Sequence, residues 1–266
     1  MRLAAKIAIV VGAGQGPGEG IGNGRATALV FARQGAKVLA VDVDLKSAEE
    51  TAAIIAEDGG TCVAFEADVT KEATLAAAIA AVQKRWGRVD ILHYNVGVSI
   101  AGGDRPLLDF TEEAFDRLSA INLRGAIMSC KHVIPIMRRQ RAGAITMISS
   151  LAALENYPLV ANKVSKAALI AFTQQVAIQN AEYGIRANVI LPGLIDTPMA
   201  VDTRARMSGK SRAEVAAERD ARVPLRRKMG TAWDVANAAL FLASDEANFI
   251  TGVALLVDGG GALNIG

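Results

Sequence analysis

Residues 7–26 read Ile7-Ala8-Ile9-Val10-Val11-Gly12-Ala13-Gly14-Gln15-Gly16-Pro17-Gly18-Glu19-Gly20-Ile21-Gly22-Asn23-Gly24-Arg25-Ala26. The first five are apolar without alternation, which marks a short strand buried on both faces. The glycines that follow permit a tight turn and let the backbone approach a ligand closely. A helix opening near Gly24 then points free N–H groups and the positive end of its dipole at that turn. Strand, glycine-rich turn and helix in this order make a pyrophosphate cradle. Asp42 ends the next apolar run, Val38-Leu39-Ala40-Val41-Asp42. A carboxylate there accepts hydrogen bonds from the ribose hydroxyls of an adenosine.

The same alternation continues along the chain. Further apolar runs fall at Lys37–Val41, Cys62–Phe65, Ile91–Tyr94, Ala144–Ile148, Arg186–Ile190 and Ala254–Val257. Helical patterns lie between them, near Gly24–Arg33, Leu45–Glu57, Lys71–Arg85, Thr111–Arg139, Val164–Glu182 and Ala232–Ala243. Gly35, Gly87 and Gly184 each close a helix before the next strand. Repeated strand–helix–strand units with right-handed crossovers predict a doubly wound parallel sheet in one α/β domain over residues 1–266. The first half of the 164–182 helix is apolar nearly all round. One face must cover the sheet, and the other is expected to meet a second subunit. Residues 196–222 are charged and helix-prone, and we expect them to form a lid over a substrate.

Composition narrows the partners. The chain has 29 Lys and Arg against 27 Asp and Glu, a balance that gives no electrostatic case for nucleic acid or a membrane surface. The basic cluster Arg138, Arg139 and Arg141 reads as a solvated helix C-terminus. Cys62 and Cys130 have no redox or metal spacing, and His93 and His132 form no ligand motif, so no metal is expected. No apolar run approaches the ~18 residues of a membrane span. Met1-Arg2 leads into the first strand without a signal-peptide layout, which predicts a cytoplasmic protein. Ser208-Gly209-Lys210-Ser211 has the end of a phosphate-loop motif, but Arg204 stands where its first glycine belongs.

Several further segments carry a family signature. They are Asp68-Val69, Tyr94-Asn95-Val96-Gly97, Asn122 in Ile121-Asn122-Leu123, Ser150 in Ser149-Ser150-Leu151-Ala152, Asn162-Lys163-Val164-Ser165-Lys166, and Leu191-Pro192-Gly193 with Ile195 and Thr197. With Phe249–Gly252 and Val257–Gly260 near the C-terminus, they resemble the short-chain dehydrogenase/reductases over essentially the whole chain. In the glycine-rich turn, Gly12, Gly22 and Gly24 fit the family's three glycines, with Asn23 between the last two. About six extra residues lengthen the turn, and a register using Gly20 and Gly22 is the alternative.

The resemblance implies hydride transfer between a nicotinamide and a secondary alcohol or ketone. Asp42 repels a 2′-phosphate, and no Arg or Lys stands at position 43 or in the turn before Gly22. NAD is therefore expected over NADP. By resemblance, Asp68 and Val69 face the adenine, and Asn95 and Gly97 lie beneath the cofactor. Pro192, Gly193, Ile195 and Thr197 hold the nicotinamide amide. Asn122 organises a proton-relay water, Ser150 binds the substrate oxygen, and Lys166 binds the nicotinamide ribose. The substrate pocket is expected near Ser99, Leu151, Ala152, Asn156, Tyr157 and Leu194. A homotetramer is implied as well.

One position departs from the pattern. Asn162 stands where the family has a tyrosine, the general acid/base. A phenol can exchange a proton when a cation lowers its pKa; a carboxamide cannot. Three readings stay open: an inactivated variant of an ordinary enzyme, an enzyme in which Tyr157, water or Lys166 handles the proton, or an NAD-binding sensor without redox turnover. The pocket residues are neither strongly apolar nor clearly cationic, so they fix no substrate class.

Overall fold

The computed structural model describes residues 1–264. Its elements run β1 (Ile7–Val11), α1 (Asn23–Arg33), β2 (Lys37–Asp42), α2 (Leu45–Glu57), β3 (Thr61–Glu66), α3 (Glu72–Trp86), β4 (Ile91–Tyr94), α4 (Glu112–Ser119), α5 (Gly125–Gln140) and β5 (Gly143–Ile148). Then come α6 (Val160–Asn180), β6 (Ile185–Pro192), β7 (Ile195–Asp196), α7 (Thr203–Ser208), α8 (Arg212–Asp220), β8 (Gly230–Thr231), α9 (Ala232–Ala243) and β9 (Ala254–Val257). Seven strands pair in parallel in the order β3-β2-β1-β4-β5-β6-β9. The order reverses between β1 and β4, and a ligand crevice opens at such a switch point, at the strands' carboxyl ends.

Alternate residues of each strand go to opposite cores. Ile7, Ile9 and Val11 pack with Leu75, Ile79, Val133 and Leu169. Ala8 and Val10 pack with Phe31, Val235 and Leu240 on the other side. This two-sided burial is why the strands read as unbroken apolar runs.

The structure departs from the sequence reading most clearly at three places. The helix expected at Val164 starts at Val160, so Asn162 lies in its first turn. The start carries no side-chain cap of its own. Asp104 instead accepts the backbone N–H groups of Ala161 and Asn162 at 2.8 and 3.0 Å. The long helix expected over Thr111–Arg139 is broken by a π turn at Ala120–Arg124. Tyr94 Oη donates to the Ile121 carbonyl there, at 2.7 Å. The basic cluster is also more than a solvated end. Arg138 lies 4.6 Å over the Tyr183 ring and donates to Asn180 Oδ1, while Arg141 donates to the Glu182 carbonyl.

The 196–222 segment folds as a short strand, a π turn at Pro198–Asp202, α7 and α8, over a small core of Val201, Val215, Val223 and Met229. Gly209 ends α7 in the left-handed conformation, and Ser211 caps α8 in a reciprocal box with Glu214. Ser208–Ser211 is thus a helix–helix corner.

Candidate active site

A single cleft of about 970 Å3 gathers nearly every residue singled out above. Gly12, Gly22, Asn23, Gly24, Asp42, Asp68, Val69, Asn95, Gly97, Lys166, Pro192, Gly193, Ile195 and Thr197 border it. So do Ser99, Ser150, Leu151, Ala152, Asn156, Tyr157, Asn162 and Leu194. Asn122 does not.

One end of the cleft is built on β1 and β2. Gly12 turns the chain with φ +82°, and a Cβ on Gly24 would run into the Gly12 carbonyl oxygen. Only two glycines let α1 start this close to β1. Asn95 braces the same carbonyl, donating from Nδ2 at 3.1 Å. Gly22 precedes α1 without a side-chain cap, and Asn23 Oδ1 is buried with no hydrogen-bond partner among the described residues. Unspent helix N–H groups facing a cleft fit a phosphate, and the orphaned amide oxygen is an acceptor left for a hydroxyl of the same ligand.

Asp42 Oδ2 accepts from Gly14 N at 2.8 Å, and Oδ1 from Asp44 N at 3.2 Å. Arg25 reaches toward this end but is taken by Glu50, at 3.1 Å, and by Ser47 and Thr51. Asp68 accepts from the Thr70 hydroxyl and backbone, with Lys71 3.3 Å away, and these contacts hold its carboxyl below the usual range.

The extra residues of the glycine-rich turn lie against the lid. Glu19 N donates to Asp202 Oδ1 at 3.2 Å, and Arg206 to the Pro17 carbonyl at 3.4 Å. Arg212 faces Asp202 at 3.4 Å and Glu19 at 3.8 Å while bonding Asp196 at 2.6 Å. The insertion thus joins the glycine-rich turn to the 196–222 segment.

At the other end Lys166, from α6, is 4% exposed and donates to the Ile148 carbonyl at 2.8 Å. Burial pushes its pKa down to about 8. A Cβ on Gly97 would stand 2.7 Å from its Nζ, so that glycine keeps the ammonium's place open. The two adjacent serines divide cleanly. Ser149 spends its hydroxyl on the Lys166 carbonyl at 2.7 Å. Ser150 Oγ accepts from Ala152 N at 3.1 Å, which leaves its own proton for a ligand. Asn162 faces the cleft from the first turn of α6, and its carboxamide has no hydrogen bond among the described residues.

Asn122 is fully buried in the π turn. Its Oδ1 accepts from Val98 N at 2.8 Å, and its Nδ2 donates to Val98 O and Ser165 Oγ. The side chain ties the loop after β4 to α6. π turns recur at such functional positions because they rotate one residue out of register.

Two features escaped the sequence. Asp104 lies 57 positions from the helix it caps, and no local pattern connects them. Arg204, Arg219 and Arg222 border the cleft, which makes it more cationic than the sequence indicated. The arginine-rich composition of 204–222 was the available signal. Among the described residues no helix is long and apolar enough to cross a membrane, and no cluster of His, Cys, Asp and Glu could hold a metal.

Comparison with known proteins agrees with this geometry. A family model described as enoyl-(acyl carrier protein) reductase matches residues 16–262. Oxidoreductase UcpA of Salmonella typhimurium is 38% identical over 265 residues, covering 98% of this chain and 96% of that protein. The 2-(R)-hydroxypropyl-CoM dehydrogenase of Xanthobacter autotrophicus is 36% identical, covering 96% of this chain and 98% of its own length. A crystal structure of a short-chain dehydrogenase/reductase from Burkholderia xenovorans superposes with a TM-score of 0.92 at 40% identity, covering 99% and 98% of the two chains. With its seven-stranded parallel sheet and dinucleotide cleft, the chain belongs to the short-chain dehydrogenase/reductase family, oxidoreductases that use a nicotinamide cofactor.

Proposed function

We propose that the chain interconverts a secondary alcohol and a ketone with NAD(H), at a rate held down by Asn162. The observation that carries this reading is the convergence of Ser150, Asn162 and Lys166 on one end of the cleft, opposite the cradle of Gly12, Asn23 and Gly24. A bound nicotinamide would supply the hydride. Everything else falls to the chain.

Ser150 can donate its free proton to a substrate oxygen. Asn162 can donate from its amide to the same oxygen and hold it, but an amide does not release the proton. Lys166, positive and buried, favours negative charge developing nearby. Its depressed pKa also makes it the best proton source at hand. Tyr157 borders the same space and is the other candidate. Either route is longer than direct transfer from a phenol at position 162. A second reading, an NAD-binding sensor without turnover, draws on the same amide.

The preference for NAD rests on charge. A 2′-phosphate would meet the Asp42 carboxylate, and Arg25, already paired with Glu50, offers it no free cation. Self-association as a homotetramer is supported by α6, where Val164 and Ile178 are 54% and 73% exposed. Two free thiols, both pushed up to about 12 by burial, suit a reducing, cytoplasmic setting.

Fluorescence titration with NADH and NADPH, followed by turnover assays on secondary alcohols and ketones, tests the proposal. NADH should bind at least roughly tenfold more tightly, about 1.4 kcal/mol. Tighter NADPH binding would overturn the cofactor assignment, and failure to bind either would overturn the enzyme reading.

A further inference from the structure

The substrate half of the cleft contains a buried cation with no ion pair among the described residues. Arg219 lies on α8 one turn beyond Val215, on the face that packs into the lid's small core. The residue is 8% exposed. Its Nε points at Met229 Sδ, 3.4 Å away. Its two Nη groups have no hydrogen-bond partner among the described residues, and the side chain borders the cleft.

The lid's carboxylates are engaged elsewhere. Asp196 takes Arg212 at 2.6 Å, and Asp220 takes Lys228 at 2.5 Å and the Met229 N–H at 2.8 Å. Asp258, also on the cleft, spends both oxygens on the N–H groups of Gly260 and Ala262. Two more arginines border the space. Arg204 gives one Nη to the Ala200 carbonyl, and Arg222 is exposed at the rim. The half-buried Glu155 is the acidic side chain on this side without a hydrogen bond among the described residues. Burial first, then Arg204 and Arg222, push the pKa of Arg219 down to about 10 against a smaller upward pull from Asp196 and Tyr157, so it keeps its charge at neutral pH.

An inward-facing packing residue needs no charge at this position. A buried guanidinium is strongly unfavourable unless an anion meets it. Its planar fork matches the paired oxygens of a carboxylate, sulfonate or phosphate. We propose that the substrate is a secondary alcohol or ketone bearing a terminal oxyanion, which Arg219 grips with Arg204 and Arg222 flanking. The reactive carbon would then lie at the Ser150 and Asn162 end of the same cleft. This inference rests on the oxidoreductase reading and names its substrate class.

The test reads binding, so it does not depend on turnover. The NADH complex is titrated with acetoacetate, with its neutral amide, and with short ketones ending in a sulfonate or a phosphate. The charged ligands should bind roughly tenfold or more tightly than the amide. The three charged ligands rank the oxyanions. Arg219→Met should abolish the preference without changing NADH affinity, and Arg219→Lys should restore part of it. If Arg219→Met does not fold, the same comparison with Arg222→Ala should show a smaller loss. Equal binding of acetoacetate and its amide to the native complex would overturn the inference while leaving the oxidoreductase reading intact. A loss of NADH affinity in Arg219→Met would overturn it too, because the arginine would then serve the cofactor's phosphates. Failure of the native chain to bind NADH would sink the underlying reading instead.

Discussion

At the scale of single residues, the site is defined by what Lys166 has and what Asn162 lacks. Lys166 is charged and buried, with only backbone carbonyls as partners. Its pKa falls from 10.5 to about 8 on folding. The unfolded chain therefore binds the extra proton between those values, and stability from this group rises as pH climbs through that window. Below about pH 8 the full burial penalty applies, on the order of a few kcal/mol. Lys166→Met removes the penalty. Its melting temperature, measured against the native chain, should be most favourable near pH 7 and lose that advantage by about pH 10. A difference independent of pH would show that Lys166 is not held at a depressed pKa. The residue's place was legible in the spacing from Asn162 to Lys166. Its carbonyl surroundings were not, because they come from Ile148 at the end of β5 and Val96 in the loop after β4.

Elements were easier to read than their ends. All seven strands of the main sheet and the order of the helices followed from apolar runs and glycine stops. The start of α6 did not, since Leu159 offers no cap and the capping carboxylate comes from Asp104 in a distant loop. Asp104 is fully buried and also accepts from Ser99 Oγ at 3.1 Å. It therefore fixes the turn that carries Asn162. Asp104→Ala leaves two buried N–H groups unpaired at a helix start, which should cost about 2 kcal/mol or more. Urea denaturation measures this directly, and a loss under roughly 0.5 kcal/mol would show that water or a neighbour replaces the cap. The π turn at Ala120–Arg124 was equally hidden. Residues 111–139 have continuous helical periodicity, and it is the Tyr94 hydroxyl, from a strand, that takes up the displaced Ile121 carbonyl.

For the molecule as a whole, one crevice at the β1–β4 switch point collects residues from every part of the chain. The parallel sheet dictates that convergence, because every strand ends on the same side. The fold and the glycine-rich side of the cleft were legible because they rest on local patterns: glycine at a turn, an acid at a strand end, a lysine four residues past Asn162. The arginine-lined side was not. It depends on how α7 and α8 fold back over the cleft and on the clasp between Asp202, Arg212 and the extended glycine-rich turn. What results is a cleft that gathers the glycine-rich turn, Ser150 and Lys166, with an amide at position 162 where we propose that proton transfer needs an acid. Pre-steady-state and steady-state turnover of Asn162→Tyr, compared with the native chain on the same ketones and NADH, tests this most directly. The account predicts a rise of roughly 10²-fold or more in the substituted protein, with NADH affinity little changed. Equal rates in the two proteins, or no NADH oxidation by either, would contradict it.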